Sequence, residues 1–196
     1  MAVRYNKINL PNELYFVTFT IAGWKHIFIN NRYCNLIYKW FDYLRSDYEN
    51  QIYGYVIMPN HVHILIQLSE KSPLLPKLIQ NAKRFLAYDI VRLLKEDKVN
   101  GEAREGALRY KKEELLNNFK GNLKKGSNAK HRIFKDKYNS LIIQSNRFFL
   151  EKLNYIHNNP CQEKWNLCDY PENYKYSSAS NYITEKGNYE IGIMDF

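Results

Sequence analysis

Little in this sequence supports a disulfide framework, a structural zinc site or a membrane span. The cysteines are only three, Cys34, Cys161 and Cys168, with no CxxC spacing, so ordinary reduced thiols are expected. No apolar run reaches the roughly 18 residues of a membrane span. Met1 to Leu10 lack the apolar core of a signal peptide, so a cytoplasmic protein with no membrane association is expected. Acidic residues are also scarce: 20 Asp and Glu face 29 Lys and Arg, a formal charge of +9. That excess suits a polyanionic partner, nucleic acid ahead of an anionic membrane surface. Disorder is excluded by the composition, since 45% of the 196 residues are hydrophobic and 15% aromatic, enough for a folded core.

The hydrophobic pattern alternates between strand and helix signatures. Leu14 to Ala22 (LYFVTFTIA) is rich in β-branched and aromatic residues and reads as a buried strand. Leu36, Ile37, Trp40, Phe41 and Leu44 recur at three- and four-residue spacing, which predicts a helix over 31–48 capped by Asn30 or Asn31. IYGYVIM from Ile52 and HVHILIQL from His61 are two apolar runs separated by Pro59-Asn60, which is hairpin chemistry. A second amphipathic helix follows from Leu75 to Leu94, with Pro76 in its first turn.

Hydrophobic density falls over about 96–130, where Gly101, Gly106, Gly121 and Gly126 mark an insertion with a short helix near Glu113 to Phe119. Arg132 to Ile143 predicts a further strand, and Ser145 or Asn146 caps a helix running to Asn158 and stopped by Pro160. The order β, α, β, β, α, insertion, β, α fits an α+β chain: a ferredoxin-like antiparallel sheet with helices on one face and an extra C-terminal helix. One domain over 1–196 with a basic insertion is expected.

Two constellations could carry chemistry. His61-Val62-His63 places two imidazoles at i and i+2 of a strand, on one face, where they can share an ion. A surface strand with two histidines is the bland alternative. In Tyr155-Ile156-His157-Asn158-Asn159-Pro160, Phe149, Leu153 and Ile156 form the core stripe of the last helix. At about 100° per residue, Tyr155 and Asn159 lie one turn apart on a face away from that stripe. A phenol is a latent nucleophile and an amide oxygen a latent metal donor; a solvent-facing tyrosine above a helix-ending Asn-Pro is the competing reading. Seven basic residues and the single acid Asp136 lie between Phe119 and Lys137. Lys120, Lys124, Lys125, Lys130, Arg132, Lys135 and Lys137, with Arg84 on the second helix, are therefore candidate DNA contacts. A plain solvated face is the alternative for that run.

PNHVHILIQ followed by YIHNNP resembles the single-tyrosine HUH transposases, in particular the branch called REP-associated tyrosine transposases. The resemblance runs from YFVTFTIAGWKHIF at Tyr15 to YPENYKYSSASNY at Tyr182. It implies that the last helix is a catalytic one, with Tyr155 as a nucleophile attacking a DNA phosphate to give a 5′-phosphotyrosine and a free 3′-hydroxyl. It further implies His61, His63 and Asn159 as ligands to a divalent metal, Mg²⁺ or Mn²⁺, and single-stranded or hairpin DNA as the partner of a monomer or homodimer. The chain departs from the family after the motif, where Cys161-Gln162-Glu163-Lys164-Trp165 replaces the usual valine and small residues.

Tyr138 is a rival nucleophile, disfavoured because Ile142 four residues on cannot bind metal. His157 reads as a helix-end histidine, and His26 and His131 lack partner spacing. Two other functions compete: a non-catalytic basic nucleic-acid-binding domain of ferredoxin-like fold, and a metal-dependent nuclease that activates water and forms no covalent adduct.

Overall fold

The computed structural model describes residues 11–96, 112–121 and 131–194. Its main elements are β1 (Leu14–Thr20), α1 (Asn31–Tyr48), β2 (Gln51–Met58), β3 (His61–Gln67), α2 (Leu75–Glu96), α3 (Lys112–Gly121), β4 (Asn139–Ile142), α4 (Asn146–Asn158) and α5 (Ala179–Ile183). The four strands form one antiparallel sheet in the order β2-β3-β1-β4. This is the α+β antiparallel architecture expected from the element order.

Strand alternation sends each apolar set to one of two layers. Val17, Phe19, Ile57, Val62, Ile64 and Ile66 face α1 and α2, and share one buried cluster with Ile37, Phe41, Leu44, Leu78 and Ile79. Phe16, Val56, Met58 and Leu65 face the opposite way and cluster with Phe149, Leu153 and Ile156 of α4. Thus α1 and α2 cover one face while α4 lies alone on the other. His61 and His63 share the parity of Leu65 along β3, so both point to the α4 side.

Helix ends follow the caps in the sequence. The Asn30 side chain accepts from Tyr33 N–H at the start of α1, and Ser145 Oγ accepts from Phe148 N–H at 3.2 Å to start α4. The β2–β3 hairpin is held at its tip. Pro59 O accepts from Ile27 and Phe28 N–H at 2.8 and 3.0 Å, and Asn60 O accepts from Ile21 N–H at 2.8 Å. The turn that delivers His61 is therefore fixed by three backbone bonds.

Two boundaries differ from the sequence-based expectation. The predicted strand from Arg132 is regular only over Asn139–Ile142, with one isolated bridge, Ile21 to Phe134, upstream. The reason lies on α2: the Lys83 ammonium donates to the carbonyls of Lys135, Asp136 and Lys137 at 3.0, 3.1 and 3.3 Å, pulling that backbone out of the ladder. Burial lowers the Lys83 ammonium to about 8. The first strand ends at Thr20 instead of Ala22, because Gly23 and Trp24 take left-handed backbone angles, φ 67° and 55°.

The free edge of β2 is covered by the C-terminal segment. Ile57 N–H donates to Tyr176 O at 2.8 Å, Val56 bridges Ser177, and Tyr55 N–H donates to Ser178 Oγ at 2.9 Å. Covering an edge in this way removes a template for unwanted strand pairing.

Close approach of α4 to the sheet depends on Gly54. A Cβ there would stand 2.8 Å from Leu153 Cδ1, 3.1 Å from Ile156 Cδ1 and 3.2 Å from Leu65 Cδ1. Gly54→Val should therefore destabilise the fold by about 1–3 kcal/mol through overpacking. Urea denaturation reads this directly. An unchanged midpoint would mean that α4 has room to ride up.

Candidate active site

His61, His63, Asn159 and Tyr155 converge between β3 and α4. The first three are buried, at 7%, 4% and 1% exposure, and the two imidazole centroids lie 4.7 Å apart. Asn159 sits one residue beyond α4 yet keeps helical angles, φ −57° and ψ −45°. The one-turn relation between Tyr155 and Asn159 is thereby preserved past the end of the helix.

Hydrogen bonds determine which ring nitrogens are free. His61 Nδ1 lies 2.7 Å from Asn60 Oδ1. An amide oxygen only accepts, so Nδ1 carries the proton and Nε2 keeps its lone pair. His63 Nε2 lies 3.3 Å from Asn159 Nδ2, which only donates. The His63 proton therefore also sits on Nδ1, directed at Thr18 Oγ1 2.6 Å away. Thr18 stands opposite His63 in the β1–β3 register, so the sheet itself places this partner.

Burial keeps both rings neutral. It pushes His61 down to about 4, helped by the Lys164 charge, and holds His63 well below the usual imidazole range, helped by His61 and Lys164. Asn159 Oδ1 is buried and has no hydrogen-bond partner. Two imidazole lone pairs and one orphaned amide oxygen thus gather at one point, and a divalent cation would satisfy all three. Among the described residues no group of three His, Cys, Asp or Glu gathers as a metal site, so a third protein donor has to be an amide.

Tyr155 is 42% exposed at the mouth of this cluster, its ring edge-on to His63 at 5.3 Å and to Phe16 at 6.0 Å. Tyr138 is elsewhere. It stands next to β4 with Lys83 Nζ 5.4 Å from its ring centre, on the α2 side of the sheet. His157 is the helix-end histidine expected from sequence: buried, lowered to about 4 by burial, its Nε2 2.9 Å from Ser178 Oγ. It ties α4 to the segment that covers β2.

Three participants were not evident in the sequence. Thr18 and Asn60 fix the imidazole tautomers. Trp165, in the departing CQEKW stretch, packs its ring 5.6 Å from His61 and 6.0 Å from His26 and so roofs the histidine pair. Cys161 and Cys168 meet at 3.4 Å across the base of that loop as thiols.

The basic residues fall in another place. Arg84, Arg132 and Lys135, with Lys77, Lys95 and Tyr88, line a groove of about 1110 Å³ between α2 and residues 131–138. None of the four converging residues borders it. Arg132 is paired with Asp136 at 2.9 Å. Lys120 on α3 and Lys137 are exposed. Lys124, Lys125 and Lys130 lie outside the described residues.

Three buried neutral imidazoles give a testable pH dependence. An unfolded imidazole takes its proton near 6.5, whereas folded His61 and His157 do so at about 4 and His63 is displaced in the same direction. Below about pH 6.5 the unfolded state binds more protons. Stability should thus fall by about 1.4 kcal/mol per pH unit for each displaced group down to about pH 4, and these groups should contribute no slope above pH 7. Denaturant midpoints at pH 7.5, 5.5 and 4.5 measure it. A flat profile would count against buried neutral rings.

No family model matches this chain, and no curated protein matches it. A solved structure does, one described as the REP-associated tyrosine transposase bound to a REP hairpin. It is 12% identical over 98% of this chain and 93% of that one, with a TM-score of 0.59. At that identity the likeness is one of fold. Among the described residues no helix is long and apolar enough to cross a membrane.

Proposed function

We propose that the chain is a single-stranded DNA strand transferase of the transposase kind, with Tyr155 as nucleophile and His61, His63 and Asn159 as the ligands of a divalent metal. The observation that carries the reading is the convergence on one spot of two imidazole Nε2 lone pairs, the orphaned Asn159 oxygen and the half-exposed Tyr155 ring. The fold likeness to a tyrosine transposase bound to a DNA hairpin supports it.

The chain's residues divide the work. Asn60 and Thr18 hold the imidazoles in the tautomer that turns Nε2 inward, as partners behind metal-binding histidines do. Trp165 and Phe16 keep the cluster from bulk water. Tyr155 Oη attacks the phosphorus, the bond to the 3′ oxygen breaks, and the phenolic proton is replaced on that departing oxygen. The products are a 5′-phosphotyrosine and a free 3′-hydroxyl, and the reverse step rejoins a strand without loss of the phosphodiester's energy. A bound Mg²⁺ or Mn²⁺ supplies Lewis-acid polarisation of the phosphate, its charge uncompensated by an all-neutral ligand set.

A water-activating nuclease or a plain binder would share much of this surface. Labelled oligonucleotide separates them: covalent transfer to protein, cleavage without transfer, or binding alone. The basic groove would supply phosphate contacts. Neutralising Arg84, Lys120 and Lys137 to Gln should flatten the log-affinity against log-salt slope by roughly 0.7 per lost contact on single strands. A slope that does not move would mark these residues as a solvated surface.

A further inference from the structure

Trp24 is the large aromatic that the core and the histidine cluster leave unexplained. It is 57% exposed, in a left-handed backbone with φ 55° that bulky side chains rarely adopt. The conformation is not an isolated accident of a loose loop. Ile21 N–H and Ala22 N–H are bonded to Asn60 O and Ile133 O, both at 2.8 Å, and Trp24 O accepts from Asn60 Nδ2 at 3.3 Å. The same Asn60 side chain orients His61 through its Oδ1. The turn that displays Trp24 is therefore built into the end of the sheet where His61 begins β3.

One face of the indole is already occupied. Lys135 Nζ lies 3.5 Å from the ring centre, close enough for a strong cation–π contact. Lys135 is itself anchored, its N–H donating to Thr20 O at 2.9 Å, and Thr20 stands opposite His61 in the register. An exposed indole with an ammonium fixed against it is the pairing that holds an unpaired nucleotide: the ring stacks on the base and the cation meets the phosphate.

We infer that Trp24 and Lys135 form a stacking subsite for one unpaired nucleotide of a strand leading to the His61 end of the sheet. The inference rests on the proposed single-stranded DNA reading but not on its covalent step. Stacking tolerates any base, so the subsite gives position along the strand and no sequence preference. Lys135 adds one phosphate contact, and its loss lowers the salt slope by about one counterion.

The test uses the whole protein, a short oligodeoxythymidylate and EDTA, so that no cleavage occurs. Trp24→Ala should weaken binding roughly 5- to 150-fold, the range that loss of one base stack produces, while Trp24→Phe keeps most of the affinity. Circular dichroism and the melting temperature should stay at wild-type values because the side chain is exposed. In the wild type, an abasic site walked along the strand should weaken binding at one position above all, and that penalty should vanish in Trp24→Ala. Wild-type affinity in Trp24→Ala overturns the inference, and so does an abasic penalty that persists unchanged at every position. A wild-type chain that does not bind the oligonucleotide overturns both this and the proposed function. One that shows the Trp24-dependent abasic penalty but forms no adduct with Mn²⁺ keeps the subsite and removes the strand-transferase reading alone.

Discussion

Tyr155→Phe is expected to bind single-stranded DNA as the wild type does and to lose the covalent adduct, by at least about a thousand-fold in rate. The substitution keeps the ring that stands against His63 and Phe16 and removes only the attacking oxygen. Since 42% of the side chain is exposed, the fold should not register the change. Tyr138→Phe provides the control, because that ring lies on the α2 side under Lys83 and away from the histidines. Adduct formation at the wild-type rate in Tyr155→Phe, or its loss in Tyr138→Phe, would reassign the nucleophile.

His61→Ala and His63→Ala are expected each to weaken Mn²⁺ binding by more than about 100-fold and to abolish cleavage with the fold retained. Partners one sphere out are typically worth 10- to 100-fold on their own, so a direct donor should exceed that. Thr18→Val then gives an internal scale. It removes the hydroxyl that fixes the His63 tautomer and should cost about 10- to 100-fold in Mn²⁺ affinity, less than either histidine. Asn159→Ala should reduce metal affinity along with cleavage, distinguishing it from Tyr155→Phe, which leaves metal binding alone. Isothermal titration of the double histidine variant decides the matter; unchanged Mn²⁺ affinity there would refute the shared site.

Much of this site was legible in the sequence because it rests on the two simplest periodicities. Two-residue strand alternation put His61 and His63 on one face, and helical spacing put Asn159 one turn from Tyr155; both relations hold in the structure. The partners that make the cluster chemically specific were not legible. Thr18 meets His63 through the β1–β3 register, across 45 residues, which no local pattern reveals. Trp165 reaches His61 because its loop folds back, closed by Leu167 N–H to Pro160 O at 3.0 Å, and the same closure joins Cys161 to Cys168.

The strand predicted from Arg132 failed for a tertiary reason, the claim of one α2 ammonium on three backbone carbonyls. The left-handed turn at Gly23 and Trp24 cut the first strand short by two residues. The glycine hinted at it, but the turn is held by contacts from Asn60 and Ile133. Local propensity yields where a distant polar group offers the backbone a better partner.

The most direct test of the central claim is denaturing electrophoresis of the protein with hairpin DNA carrying a single-stranded flank, labelled at one end or the other, in Mn²⁺. The 5′-phosphotyrosine polarity predicts that a 3′-end label migrates with the protein after boiling. A 5′-end label should appear only in a shortened oligonucleotide ending in a 3′-hydroxyl, and peptide mapping should place the bound nucleotide on Tyr155. Protein carrying the 5′-end label, a nucleotide mapped to Tyr138, or cut DNA with no protein-bound label would contradict it.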